Sequence, residues 1–319
     1  MHFVPPTLVD VRTAAARIAP HAIVTPVLTA PALDEQSGVQ LFFKCEQLQR
    51  GGAFKFRGAC NAVWALSEAE AARGVVTHSS GNHGAALALA AATRGIPAHI
   101  VVPEGAVAAK LVNIERAGGT LHRCAPTLAA REETCGKVQR ETGVTLVHPY
   151  ADARVVAGQG TVALELLRQV PDLDAVVVPV GGGGLVSGCA IVLRALSPSI
   201  DIIGAEPAGA DDAFRSLQQG RRVTDVVPET ICDGLRATIG EPNFALLNEH
   251  QVEVIPVDDD ATLAAMRFLW QELKQTVEPS SSTVLAALLS RRERFAGRRV
   301  GLVLSGGNVD LDSIAFAAD

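Results

Sequence analysis

The run Ala175-Val176-Val177-Val178-Pro179 most narrows what this chain can become, because four glycines and then a helical repeat follow it almost directly. β-Branched residues without polar alternation belong to a strand covered on both faces, as in parallel sheets. Gly181-Gly182-Gly183-Gly184 lets the backbone turn tightly, and Ile191, Val192, Leu193 and Leu196 carry a helical pattern away from it. Strand, turn and helix in that order make the unit of an α/β protein with right-handed crossovers. The alternation recurs along the chain. Residues 41–43, 75–77, 98–102, 120–124, 145–147, 175–178, 202–203, 252–255 and 300–304 read as strands, and residues 85–93, 108–116 and 161–169 as helices. Gly118-Gly119 and Gly158-Gln159-Gly160 read as turns.

With 319 residues and 48% apolar content the chain can bury one large core or two adjoining lobes. A net charge of −6 leaves no footprint for nucleic acid or an anionic membrane. No apolar stretch reaches membrane-spanning length without a charge or a turn, so a soluble protein is expected. The opening residues hold two prolines and no positively charged start, unlike a signal peptide. Cys45, Cys60, Cys124, Cys135, Cys189 and Cys232 are scattered without a C-x-x-C pair, which reads as reduced, packing cysteines and a cytoplasmic location.

Three strand ends and one lysine carry the chemistry. The glycine run can aim several N–H groups and a helix N-terminus at one anion, a phosphate being the natural guest. A dinucleotide loop does not fit: G-x-G-x-x-G would need glycine at Val186 or Ser187. A purely structural turn remains the alternative. In His78-Ser79-Ser80-Gly81-Asn82-His83-Gly84 the polar donors exceed what one helix cap requires, though capping is the simpler reading. Val300 to Leu304 is another apolar strand, ending in Ser305-Gly306-Gly307-Asn308, where ligands of parallel sheets bind. Lys55, one of five lysines against 23 arginines, stands in Gly51-Gly52-Ala53-Phe54-Lys55-Phe56-Arg57-Gly58. An amine among aromatics loses hydration, which favours the neutral nucleophile able to form a Schiff base; a snorkelling surface lysine is the bland alternative.

Taken in order, A-F-K-F-R-G, H-S-S-G-N-H-G, G-G-G-G-L and S-G-G-N resemble the signature blocks of the fold-type II pyridoxal-phosphate enzymes, within them the serine/threonine dehydratase and serine racemase branch. Ala53 departs from the serine usual before the Phe-Lys pair. The resemblance implies the two-lobed tryptophan synthase β-subunit-like α/β fold, with parallel sheets and helices on both faces. A large lobe would span 1–73 and 150–319 and a small lobe 74–149. It implies pyridoxal 5′-phosphate held by Lys55, Phe54, Asn82, Gly181, Gly182, Gly183, Gly184, Leu185 and Ser305. Lys55 would join the cofactor aldehyde and act as base at Cα, and Ser80 could serve the opposite face. Ser79, Ser80, His83, Arg131 and Tyr150 would face the substrate. Arg131 on a solvated helix face is the competing reading. Glu206, the Ala210 carbonyl and Asp212 resemble the branch's divalent-cation loop, for Mg²⁺ or Ca²⁺; otherwise they form an acidic loop with a cap. Glu278-Pro279 matches the family's E-P-x loop near the cofactor, followed by three serines.

The activity implied is loss of water from a β-hydroxy-α-amino acid: serine, threonine, threo-3-hydroxyaspartate or threo-phenylserine. The products would be a 2-oxo acid and ammonia, made by a homodimer acting on a small substrate. A serine or aspartate racemase is the alternative, and a cysteine-synthase-type β-replacement enzyme a weaker one, since its substrate loop commonly reads T-S-G-N.

Overall fold

The structure, a computed structural model, describes residues 3–106 and 108–310; residues 311–319 of the expected large lobe lie outside the described residues. Ten strands are described: β1 (Val27–Leu28), β2 (Gln40–Cys45), β3 (Val75–His78), β4 (Ala98–Pro103), β5 (Thr120–Cys124), β6 (Thr145–Leu146), β7 (Ala175–Pro179), β8 (Asp201–Pro207), β9 (Glu253–Val257) and β10 (Arg299–Leu304). They form a six-stranded sheet ordered β1-β2-β10-β7-β8-β9 and a four-stranded sheet ordered β5-β4-β3-β6. All pairings are parallel except that of β1 with β2.

Strand periodicity explains why both faces must be covered. Val176, Val178 and Val303 join one core, while Ala175, Val177, Val300 and Leu302 join the other. In the small sheet Val75, Ile100 and Val102 point one way, Val76 and Val101 the other. Strands ending together at their C-terminal ends leave their loops as the natural place for a ligand.

The antiparallel strand β1 was not expected from the sequence. It is two residues long and exists through pairing with Phe43 and Lys44. Gly118 does turn, at φ 85°. Gly158-Gln159-Gly160 is corrected: it lies inside the helix Ala153–Gln169. The glycines are there for helix crossing. A Cβ on Gly158 would stand 2.6 Å from Gly58 Cα, and one on Gly160 would stand 2.7 Å from Gly188 O. Three helices therefore meet at near backbone contact behind the site.

Candidate active site

Lys55 opens the helix Lys55–Trp64, and long-range contacts fix that first turn. Phe54 N donates to Ser305 O at 2.9 Å and Ala53 bridges to Gly306, clipping the lysine turn onto the end of β10. Two residues on, the fully buried Arg57 spreads its guanidinium over two carboxylates. Nε reaches Glu46 at 2.6 Å and Nη1 reaches Glu165 at 2.7 Å. Lys44 pairs with Glu165 at 2.7 Å, so two cations and two anions balance inside the protein. The Lys55 amine itself donates to Pro149 O at 3.3 Å and lies 4.9 Å from the centre of the Phe54 ring. Burial brings its pKa down to about 8, against an opposing pull from Glu278. Such an amine is partly neutral near physiological pH.

The glycine run forms the facing wall. Gly183 sits at φ 88° at the head of the helix Gly184–Leu196, which has no side-chain cap. Ser187 N bonds Gly183 O, so the N–H groups before it are the open ones of a helix N-terminus. The loop tolerates no side chains. A Cβ would approach Tyr150 Cδ1 at 2.4 Å from Gly182, Ile239 Cδ1 at 2.5 Å from Gly183, and Leu235 Cα at 2.9 Å from Gly181. Buried Asn243 donates to Gly182 O at 2.5 Å and Tyr150 O at 3.0 Å, tying the loop to the segment over Lys55. The sequence offered no signal for Asn243, an unexceptional asparagine in the helix Glu241–Glu249. Open amides in a glycine cradle fit a phosphate.

The 79–84 turn joins the lysine segment through Asn308, which bonds both Asn82 and Gly51 O. Ser79 Oγ accepts from Gly81 N at 3.3 Å, and Ser80 is half-buried. Asn82 Nδ2 donates to Glu278 at 3.0 Å and its Oδ1 accepts from Asn308 at 2.9 Å. Glu278 is thus brought to the site across the chain. Buried Ser305 lies 3.2 Å from Ser281 Oγ, whose hydroxyl also engages Gly306. His83, 2% exposed, meets Val147 O through Nε2 at 3.3 Å, leaving Nδ1 buried without a partner. That orphan nitrogen is what a polar guest would satisfy.

A row of rings flanks Pro149, the acceptor of the Lys55 amine. His148 packs edge-on against His78 at 5.3 Å and Tyr150 at 4.6 Å between centroids. Burial depresses all three nearby imidazoles: His148 to about 4, His78 below its usual range and His83 well below it. They are neutral donors or acceptors here. The half-buried Arg131, in the helix Leu128–Thr142, donates to Thr127 O, and its charge reaches His78 and Tyr150. Tyr150 packs on the glycine loop and directly follows Pro149, whose carbonyl accepts from the Lys55 amine.

The acidic loop stands behind the same glycines. Glu206, next to last in β8, accepts from Ala213 N at 2.9 Å and Phe214 N at 2.8 Å. Asp212 accepts from Ile239 N at 2.7 Å. Burial raises Glu206 to about 8 and Asp212 to about 6. Two crowded carboxylates with raised proton affinity suit a counter-cation. Among the described residues no three His, Cys, Asp or Glu side chains converge as a metal cluster, so a cation here would need carbonyl and water ligands.

The family model described as "Pyridoxal-phosphate dependent enzyme" matches residues 18–306. The chain belongs to that family. A β-hydroxyaspartate dehydratase from Paracoccus denitrificans is 48% identical over 98% of this chain and 99% of its own length. A serine racemase from Arabidopsis thaliana is 50% identical over 96% of this chain and 94% of its own. The solved maize serine racemase superposes with a TM-score of 0.95 at 45% identity, covering 97% of this chain and 96% of that one. The α/β fold with parallel sheets is that of these enzymes. The family's cofactor is pyridoxal phosphate, and the glycine cradle with the depressed Lys55 amine fits its phosphate and its aldehyde.

Proposed function

We propose that this protein is an ammonia-lyase that removes water from a β-hydroxy-α-amino acid of the serine, threonine, threo-3-hydroxyaspartate or threo-phenylserine class. The carrying observation is the amine of Lys55, crowded to a pKa of about 8 beside the Phe54 ring. The near relation to a β-hydroxyaspartate dehydratase supports the choice of reaction. Bound pyridoxal phosphate supplies the electron sink that acidifies the Cα–H bond. Gly181, Gly182, Gly183, Gly184 and Leu185 would hold its phosphate through N–H groups, and Asn82 its ring oxygen, once Asn82 exchanges one present partner.

Lys55 takes the Cα proton. The Cβ–O bond breaks and the hydroxyl leaves, with a proton, as water. The enamine released becomes an imine, which water hydrolyses to the 2-oxo acid and ammonia. Ser305 would face the ring nitrogen with a hydroxyl rather than a carboxylate; this does not enforce protonation there and favours elimination over transamination. Ser79, His83, Arg131 and Tyr150 would orient the substrate.

Racemisation is the second reading, favoured by the 50% identical serine racemase. Ser80 would then exchange the proton on the face opposite Lys55. The boundaries 74 and 149 would delimit the small lobe, and a cytoplasmic homodimer with a Mg²⁺ or Ca²⁺ on Glu206, Ala210 and Asp212 completes the proposal. Oxo-acid release from the four substrates, with chiral assay of any D-isomer, separates the readings. Ser80→Ala should remove D-isomer formation and spare elimination. A protein that releases no oxo acid from any of them and carries a borohydride-fixed label away from Lys55 would sink both.

A further inference from the structure

Three consecutive serines, Ser280-Ser281-Ser282, lie in the first turn of the helix Pro279–Ser290, and all three are buried. Successive helical side chains point in different directions, so each hydroxyl finds its own partner. Ser280 Oγ accepts from Gly234 N at 3.1 Å, and Ser282 Oγ donates to Glu278 O at 3.4 Å. Those two contacts tie down backbone. Ser281 instead faces the end of β10, where its Oγ lies 3.2 Å from Ser305 Oγ.

A serine hydroxyl has a single proton and a pair of acceptor sites. Ser281 directs its proton to Gly306 O at 2.7 Å and accepts from Gly306 N at 2.7 Å. What remains on Ser281 is a lone pair, so its contact with Ser305 has to use the Ser305 proton. Ser305 is 2% exposed, and Ser281 Oγ is its side-chain partner among the described residues. With that proton turned to Ser281, Ser305 offers any other neighbour lone pairs only. Reversing the direction would cost Ser281 its shorter bond, the one to Gly306 O. A hydrogen bond to the charged form of a titrating group favours that form. A pyridine nitrogen placed against this oxygen is therefore favoured as N–H, because without the proton two sets of lone pairs face each other.

We propose that Ser281 is a positioning residue: it holds Ser305 as an acceptor and so raises the proton affinity of the cofactor ring nitrogen, a bias weaker than a carboxylate's. It rests on the reading that Ser305 faces that nitrogen. The test follows the ¹⁵N resonance of holoprotein loaded with ring-labelled pyridoxal phosphate as pH is varied. Ser305→Ala removes the acceptor, and the midpoint of ring-nitrogen protonation is expected to fall. Ser281→Ala frees the Ser305 proton to turn to the nitrogen, and a fall of at least about one unit, tenfold in proton affinity, is expected. Ser281→Thr keeps the hydroxyl and should keep the midpoint; an equal fall there marks packing rather than proton direction and overturns the proposal. A rise in Ser305→Ala means that Ser305 donates, which overturns the proposal but leaves Ser305 at the nitrogen. No change in Ser305→Ala removes Ser305 from the nitrogen, and both statements fall. A midpoint unmoved by Ser281→Ala, or a nitrogen unprotonated down to the lowest pH the fold withstands, also overturns it. Should Ser281→Ala fail to fold, the sign of the Ser305→Ala shift decides.

Discussion

Replacing Arg57 by leucine isolates what holds the lysine turn in place. Arg57 is fully buried and its fork makes two contacts to each of two acids: 2.6 and 2.8 Å to Glu46, and 2.7 and 2.8 Å to Glu165. Leucine removes one of two cations and leaves an excess negative charge in the interior. Glu165 keeps Lys44 at 2.7 Å, whereas Glu46 loses its ion pair and keeps the Thr25 hydroxyl, at 2.5 Å. Removing one partner of a buried pair costs about 3–5 kcal/mol, since the other charge remains desolvated. At about 2–4 °C per kcal/mol for a chain this large, the melting temperature should fall by roughly 6–20 °C. The measurement is a calorimetric melt with cofactor held saturating, because ligand binding to the native state shifts the midpoint. Adding Glu46→Gln to Arg57→Leu should restore part of the loss, whereas Glu46→Gln alone should destabilise, giving a coupling well above about 0.5 kcal/mol. If Arg57→Leu costs less than about 1 kcal/mol, or the two changes simply add, the quartet is not acting as a charge-balanced unit and the reasoning fails.

Capture of pyridoxal phosphate by apoprotein should speed up with pH and level off with a midpoint near 8, because the nucleophile is the neutral amine and burial depresses its pKa to about 8. A rate still climbing toward the ordinary lysine range, ~10.4, would mean that Lys55 is not desolvated in solution. Gly183→Ala combines a φ of 88° with a Cβ 2.5 Å from Ile239 and 2.7 Å from Asn243. Cofactor affinity should drop at least about tenfold, or about 1.4 kcal/mol, in an absorbance titration; an unchanged dissociation constant would remove the loop from the cofactor site. Mg²⁺ or Ca²⁺ should raise the melting temperature of chelator-treated protein, and Glu206→Gln should abolish that rise. A cation response surviving in Glu206→Gln would locate the ion elsewhere.

Much of this site was readable before any coordinates, for reasons of local physics. Residue order along a strand records which faces are buried, so the apolar runs now in β7 and β10 announced a sheet covered on both sides. A glycine run between strand and helix announced a backbone that side chains cannot occupy, as the positive φ of Gly183 and its crowded neighbours bear out. An amine flanked by phenylalanines announced its own desolvation, and Lys55 has it. Helix extent was less legible. Glycines that break helices in isolation are kept in the helix Ala153–Gln169 by the helices they touch, and those contacts have no sequence signature.

What the linear chain determined about this protein was therefore the class of fold, the desolvated lysine and the glycine turn between strand and helix, all set by conformational and solvation preferences within a few consecutive residues. Only tertiary structure decided who partners whom: Asn82 with Glu278, 196 positions away; Arg57 with Glu165, 108 away; Asn243 with Gly182, 61 away. The reason is that a buried charge or amide must find a partner wherever packing brings one. That choice belongs to the whole fold, because desolvation penalises an unpaired group regardless of how far along the chain its partner lies.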